Sequence, residues 1–249
     1  MILALTIAAA VCLLVSIVCE KSLWFGKNSK NDQCEIDISS LVKYAFPYVF
    51  SMGITILFQT ADKLALNAYG TYSDVGIYSS TMTLVNVFAI VQTSFNTLWA
   101  PMAVEHYSKD PNDKGLYYKG NQIITVIMFF IGLTLILFKD VFALLLGEKY
   151  REAAYILPFL IFNPIMYTIS ETTVNGLVFM KKSNYQVVVA IGACIANIIG
   201  NTILVPRLGC KGAAISTGLS YIIFFTLRTV LSNKCFYVDF KLKRFYILT

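Results

Sequence analysis

Seven long apolar stretches alternate with short loops that hold nearly all of the charge in this chain. They lie at residues 2–19, 41–61, 77–103, 121–138, 153–180, 185–205 and 212–232. Only helices of roughly 20 apolar residues and closed β-barrels satisfy their backbone hydrogen bonds across a bilayer. Barrel strands alternate apolar and polar residues, whereas these stretches are continuously apolar. The pattern predicts an all-α, polytopic integral membrane helix bundle with about seven transmembrane helices.

The overall composition supports the membrane class. Hydrophobic residues make up 57% of the 249 residues and charged residues 14%, with a mean hydropathy of +0.67. Soluble domains carry about 25% charged residues. The six cysteines form no CxxC pair and the chain has one histidine, so we expect no metal site, cofactor or disulfide framework. No residue pattern indicates catalysis, so we do not expect an enzyme.

The distribution of basic residues predicts the orientation of the chain. With the N-terminus outside, the loops place fourteen Lys and Arg residues inside and six outside, so the net charge of +6 does not indicate nucleic-acid binding. The positive-inside rule then favours a multi-pass protein of the cell (inner) membrane with an external N-terminus and a cytoplasmic C-terminus. Residues 1–20 lack a basic segment before the apolar run, which favours a retained helix over a signal peptide.

Two local patterns concern the packing and shape of the helices. Small residues recur every four positions in the last two stretches, at Gly192, Ala196 and Gly200 and at Gly212, Ser216 and Ser220. This spacing predicts close helix–helix packing. Pro158 and Pro164 lie in the same apolar stretch and predict a bend, which either lines a transport cavity or is a structural kink.

Ionisable residues at membrane depth are costly, so each is a functional candidate. Glu171 lies inside the fifth stretch among polar residues that include Asn163 and Asn175. A carboxylate there could exchange protons or bind a cation. The alternative is a side chain that only hydrogen-bonds neighbouring helices.

A charged pair follows the second apolar stretch. Asp62 and Lys63 follow the polar Gln59 and Thr60 after one alanine, at the predicted outer end of the helix. One of the two could point into a cavity while the other reaches the membrane surface. The alternative is that both anchor the helix at the interface.

Further candidates lie in the third and seventh stretches. Arg228, near the predicted cytoplasmic end of the last helix, either snorkels to the surface or contacts a phosphate-bearing lipid headgroup. Asn86 and Asn96 suit sugar or headgroup binding, although amides also join helices. The predicted substrate path comprises Gln59, Asp62, Lys63, Asn86, Asn96, Asn163, Glu171, Asn175 and Arg228.

Five motifs follow one another across the second to seventh stretches. They are residues 59–63 (QTADK), 75–79 (VGIYS), 99–101 (WAP), 146–154 (LGEKYREAA) and 205–217 (VPRLGCKGAAIST). Because these motifs occur in this order, residues 41 to about 232 resemble the C-terminal half of the Wzx-type polysaccharide flippases. These exporters of O-antigen and teichoic acid belong to the superfamily that includes the MATE multidrug exporters and the lipid II flippases.

The resemblance implies one lobe of a two-lobe transporter. Such proteins move undecaprenyl-pyrophosphate-linked oligosaccharide across the inner membrane by alternating access, and Asp62 and Lys63 match the family's acidic–basic pair. Residues 1–20 would be the last helix of a missing N-lobe, 21–40 a cytoplasmic linker, 41–232 the six-helix C-lobe, and 233–249 a basic cytoplasmic tail. The implied partners are membrane lipid, the lipid-linked oligosaccharide, and the missing lobe or a second chain, but no nucleic acid.

Other functions remain open at this point. A multidrug or small-solute antiporter of the same superfamily would need carboxylates in its cavity. A membrane-bound polysaccharide polymerase would need a large external loop with catalytic Arg or His, and a retinal-type receptor would need a lysine in the last stretch. A truncated gene product without transport activity is a further alternative.

Overall fold

The computed structural model describes residues 15–16, 38–146 and 151–242, and these residues form helices joined by short turns without any strand. The helices are α1 (Ile38–Tyr69), α2 (Tyr72–Asn86), α3 (Phe88–Lys109), α4 (Gly115–Leu137), α5 (Lys139–Leu146), α6 (Ala153–Leu160), α7 (Phe162–Thr173), α8 (Asn175–Phe179), α9 (Asn184–Leu208) and α10 (Cys210–Cys235). The chain divides into a unit of residues 1–41 and a unit of residues 42–249.

Six helical stretches within the described ranges are long and apolar enough to cross a membrane. They are Ala45–Tyr69, Tyr72–Lys109, Gly115–Leu137, Ala153–Thr173, Asn184–Leu208 and Cys210–Cys235. They coincide with the second to seventh predicted stretches, which confirms the all-α polytopic bundle. The predicted helix at 2–19 lies outside the described residues except for 15–16, which are helical. The linker at 21–40, apart from residues 38–40, and residues 243–249 of the tail also lie outside them.

The second predicted stretch ends later than expected. Helix α1 continues to Tyr69, so Asp62 and Lys63 lie inside the membrane-spanning helix and not at its end. The prediction that this pair closes the helix is wrong, because Leu64 to Leu66 continue the apolar pattern and Leu66 is fully buried. Charges often mark the end of a span, but here one of them faces the protein interior.

The fifth apolar stretch is interrupted twice, at Ile161 and at Val174, and forms α6, α7 and α8. Proline has no backbone N–H, so Pro164 cannot donate to the carbonyl of Leu160. The first interruption lies at this position, between Leu160 and Phe162. The predicted bend of this stretch stays a prediction. This stretch is also the most enclosed of the six spans.

Helix α10 is the central element of the bundle. It packs along the whole of α9 and also contacts α2, α6, α7 and α8. A Cβ added at Gly212 would collide with backbone atoms of Leu204 and Val205, and one at Gly200 would collide with Ser216. The small residues therefore permit close approach of α9 and α10, as their spacing predicted.

The turn between α9 and α10 is tied to the start of α2. Gly209 has a φ of +56°, a backbone conformation that favours glycine. The Asp74 carboxylate accepts a hydrogen bond from the Cys210 backbone N–H at 3.2 Å. The same carboxylate forms a capping box with Thr71 at the beginning of α2. One side chain thus holds together the ends of three helices.

We expect Gly212→Ala to destabilise the protein by about 1–3 kcal/mol, because the new methyl group has only backbone atoms to displace. The matched control is Gly76→Ala, also near the start of a helix, where no atom lies within 4 Å of the added Cβ. That control should be neutral or stabilising by about 0.5–1 kcal/mol. Thermal unfolding in detergent measures both, and equal melting temperatures would contradict the close approach.

Candidate functional site

Asp62 is a buried carboxylate that receives hydrogen bonds from three other helices. Only 3% of the residue is exposed. Its Oδ1 accepts from Asn197 Nδ2 at 2.9 Å and from Asn201 Nδ2 at 2.8 Å. Its Oδ2 accepts from the Tyr78 hydroxyl at 2.5 Å and from Thr217 Oγ1 at 2.7 Å. We call these five side chains the Asp62 cluster.

Local helix geometry positions the donors of this cluster. Asn197 and Asn201 are one turn apart on α9, so both amides point to the same side, and Asn201 Nδ2 also lies 3.0 Å from Asn197 Oδ1. Ser216 on α10 donates to the Asn197 backbone carbonyl at 3.0 Å, which fixes the register of α9 against α10. Thr217 is the next residue on α10, and in this register its hydroxyl lies within hydrogen-bond distance of Asp62. The close packing of α9 and α10 is what brings the donors together.

The Asp62 cluster contains no basic side chain. Among the described residues, no Lys, Arg or His forms a salt bridge with Asp62, and the neighbouring Lys63 is exposed. All four donors are neutral groups, and charge-assisted hydrogen bonds from them offset the cost of burying a carboxylate. In addition, Asn201 Oδ1 is buried and has no hydrogen-bond partner in the part of the chain that the structure describes. A carboxylate beside a free amide oxygen is chemically suited to a hard cation or a proton.

A cavity of about 370 Å³ with both polar and apolar walls opens beside the Asp62 cluster, between α1, α2, α3, α7 and α10. We call it the Asp62 cavity. Its lining includes Gln59, Asp62, Lys63, Tyr78, Asn86, Gln92, Asn163, Tyr167, Thr217 and Tyr221. The volume falls in the range of roughly 300–1,000 Å³ that is usual for ligand pockets. Amides, hydroxyls and one charge of each sign therefore line a space within the membrane-spanning segments.

A second polar cluster surrounds Arg228, which is only 7% exposed. Its Nη1 donates to Glu171 Oε1 at 2.8 Å and to Ser170 Oγ at 2.6 Å. The guanidinium carbon lies 5.5 Å from the Tyr167 ring centroid and 5.4 Å from that of Phe224, and the two rings are stacked. The arginine does not snorkel to the membrane surface, because a carboxylate and two aromatic rings hold it inside the bundle.

The structure brings some of the sequence-predicted site residues together and leaves others apart. Five of them line the Asp62 cavity: Gln59, Asp62, Lys63, Asn86 and Asn163. Glu171 and Arg228 form the second cluster. Asn175 is buried and donates to the Thr172 carbonyl at 2.9 Å, which is a structural contact. Asn96 is half-buried and lines neither this cavity nor the one beside Arg228.

Sequence reasoning did not include the four donors to Asp62 among the site residues. Asn197 and Asn201 were visible as amides one turn apart on an apolar helix, which is the signal that could have identified them. Tyr78 and Thr217 carry no such signal, since single hydroxyls are common in membrane helices. Their role depends on which faces of α2 and α10 meet α1, and only the tertiary structure defines this.

Comparisons with known proteins agree with the membrane assignment. Over 188 residues, which are 74% of this chain, the sequence is 27% identical to "Uncharacterized membrane protein MJ1068" of Methanocaldococcus jannaschii. The match covers 36% of that protein, so the chain spans well under half the length of this relative. No protein family and no solved structure matches the chain. Together with the six candidate spans, this similarity defines a multi-pass membrane protein.

Removing the Tyr78 hydroxyl should lower the free energy of unfolding more than removing the equally buried Tyr117 hydroxyl. Tyr78 and Tyr117 are each 1% exposed, but Tyr78 donates to the Asp62 carboxylate whereas Tyr117 donates to the Ala103 carbonyl at 3.0 Å. We expect Tyr78→Phe to lose about 1.5–3 kcal/mol of unfolding free energy and Tyr117→Phe about 0.5–1.5 kcal/mol. Denaturant unfolding in detergent measures the difference, and equal losses would contradict a charge-assisted bond at Asp62.

Proposed function

We propose that this chain is one lobe of a flippase that moves lipid-linked oligosaccharide across the cell membrane by alternating access. The substrate class, an oligosaccharide on undecaprenyl pyrophosphate, follows from the resemblance of residues 41 to about 232 to the C-terminal half of polysaccharide flippases. The relative from Methanocaldococcus jannaschii, which extends well beyond the matched region, is compatible with a second lobe. The protein acts as a transporter and catalyses no covalent chemistry.

The observation that carries this proposal is the Asp62 cavity. Gln59, Lys63 and Asn86 line it and are also exposed, although they lie within membrane-spanning helices. Polar and charged groups at this depth are costly against lipid and usually face a water-filled cavity or another protein surface. The open side of the cavity therefore faces a second lobe or chain. Amides and tyrosines on its walls suit the hydroxyl groups of a sugar chain, and Lys63 suits a phosphate.

Asp62 is the residue through which we propose that a cation drives transport. Its carboxylate reaches the cavity wall, receives only neutral donors, and lies beside the unpartnered Asn201 oxygen. A cation or proton bound there would compensate the buried charge. Because the hydrogen bonds of Asp62 join α1 to α2, α9 and α10, binding would change how α1 is held against the lobe. A change in the position of one helix is a suitable means of coupling an ion to alternating access.

A second candidate function is the export of an organic cation in exchange for an ion. It is favoured by the combination of a carboxylate with Phe58, Tyr78, Tyr167 and Tyr221 around one cavity, since aromatic rings and carboxylates bind organic cations. The same architecture would serve this function with a different substrate. The two candidates differ in what accumulates when the gene is absent.

Deleting the complete gene should abolish export of the cell-surface polysaccharide, and a copy with Asp62→Asn should fail to restore it. We expect the Asp62→Asn copy to export at least about tenfold less, because it removes the charge that binds the coupling cation. Surface polysaccharide is measured on whole cells, with immunoblotting to match protein levels. Asp110→Asn, an exposed carboxylate at the end of α3, is the control and should restore export.

Normal surface polysaccharide in the deletion strain would contradict the flippase. Intracellular accumulation of organic cations in the same strain, reversed by the wild-type gene but not by Asp62→Asn, would favour the antiporter. Full export by Asp62→Asn would retain the flippase but remove Asp62 from the coupling step. These outcomes therefore test the substrate class and the role of Asp62 in coupling separately.

The proposed orientation, with α2 starting outside, has its own test. Asp110 lies in the loop between α3 and α4, which we place in the cytoplasm, and Asp140 lies in α5, which we place outside. Both residues are exposed. In intact cells, Asp140→Cys should increase labelling by a membrane-impermeant maleimide above that of the parent protein, whereas Asp110→Cys should do so only after permeabilisation. The reverse pattern would invert the topology.

A further inference from the structure

A second cavity, of about 260 Å³, lies between α1, α9 and α10. We call it the Arg228 cavity. The polar side chains of Ser51, Gln186 and Arg228 line it together with apolar ones such as Met52 and Ala190. It is smaller than the roughly 300–1,000 Å³ of usual ligand pockets, so it suits a compact group and not an oligosaccharide.

Arg228 lines this cavity, and one of its donors is unused. Its Nη1 is hydrogen-bonded to Glu171 and Ser170, but its Nε is buried without a hydrogen-bond partner among the described residues. Only 7% of the residue is exposed, so the guanidinium group is shielded from bulk water. Buried donors without partners are rare and cost roughly 1–3 kcal/mol or more when charged. The protein therefore satisfies the positive charge of Arg228 incompletely, at the wall of a cavity.

The Arg228 cavity opens sideways, on the apolar surface of the lobe. Met52 lines the cavity and is itself 67% exposed. Exposed apolar residues flank it on both helices, with Val49 on α1 and Val188 and Ile191 on α9. In a membrane-spanning bundle, such a surface contacts lipid chains. A molecule with an anionic head and an apolar tail can therefore reach Arg228 from within the bilayer.

We propose that the Arg228 cavity binds the phosphate headgroup of an anionic membrane lipid. The guanidinium group donates to the phosphate oxygens, and the lipid tail lies on the apolar surface between α1 and α9. Arginine suits this ligand because its planar donors match phosphate geometry. Neither Arg228 nor Gln186 lines the Asp62 cavity, so the anionic head would bind apart from Asp62, although the two cavities share five other lining residues. The lipid could be a phospholipid or a prenyl phosphate, which share the same headgroup chemistry.

Glu171 positions the Arg228 side chain and also limits its affinity for a bound anion. It accepts from Nη1 and so fixes the guanidinium group beside the rings of Tyr167 and Phe224, which also line the cavity. The carboxylate also compensates the positive charge, which weakens the attraction to a second anion. Glu171→Gln should therefore bind anionic lipid more tightly than the wild type, a result that a purely structural ion pair would not produce.

Native mass spectrometry of the purified full chain in micelles tests the proposal, with phosphatidylglycerol, phosphatidylcholine, a prenyl phosphate and inorganic phosphate as probes. We expect phosphatidylglycerol to bind at least about tenfold more weakly to the double variant Glu171→Gln/Arg228→Gln, which removes both charges together. Ala190→Leu should give a similar loss by filling the cavity while leaving the ion pair intact. Lys119→Gln, which removes an exposed cation at the start of α4, should bind like the wild type.

Binding of phosphatidylglycerol that depends on Arg228 would support the proposal, and so would a preference for prenyl phosphate, which would identify the lipid as an isoprenoid. Equal binding of phosphatidylcholine would overturn it, because charge would then not matter. Binding of inorganic phosphate as tight as that of either lipid would also overturn it. Unchanged lipid binding in both the double variant and Ala190→Leu, with melting temperatures close to the wild type, would place the lipid elsewhere.

Discussion

The structure of this helix bundle depends on the hydrogen bonding of one buried carboxylate. Asp62 has no basic partner within the described residues, so its hydrogen bonds must come from neutral groups on other helices. Asn197, Asn201 and Thr217 provide three of them and Tyr78 the fourth. Because losing a donor to a buried charge is costly, this requirement constrains the register of α1, α2, α9 and α10 at the same time.

Close packing of α9 and α10 makes that arrangement possible. Gly200 and Gly212 allow the two backbones to approach, and Ser216 then bonds to the Asn197 carbonyl. Lipid provides no hydrophobic force between membrane helices, so small residues and polar contacts determine which faces meet. The close packing contacts and the polar hydrogen bonds therefore lie on the same face of α10. A substitution that alters the packing also alters the hydrogen bonds.

The two polar clusters divide the lobe into parts with different chemistry. Around Asp62, the groups are oxygen- and amide-rich and open to a cavity with exposed polar residues, which suits a cation and a sugar-bearing substrate. Around Arg228, the cavity is smaller, more apolar and open towards lipid, which suits an anionic headgroup. The two cavities adjoin, since both are lined by Thr55, Phe58, Gln59, Tyr167 and Tyr221.

The sequence by itself determined the class of protein, the number and approximate position of the described spans, the helix interruption near Pro164 and the close packing of the last two helices. These properties depend on local composition and on spacing along one helix, which the sequence shows directly. It also identified Asp62, Glu171 and Arg228 as costly charges. Only the tertiary structure decided that Asp62 binds four neutral donors and that Glu171 pairs with Arg228. Apart from the bond between Tyr78 and Asp62, which are 16 positions apart, these contacts join residues more than 50 positions apart, through helix faces whose rotation no local pattern specifies.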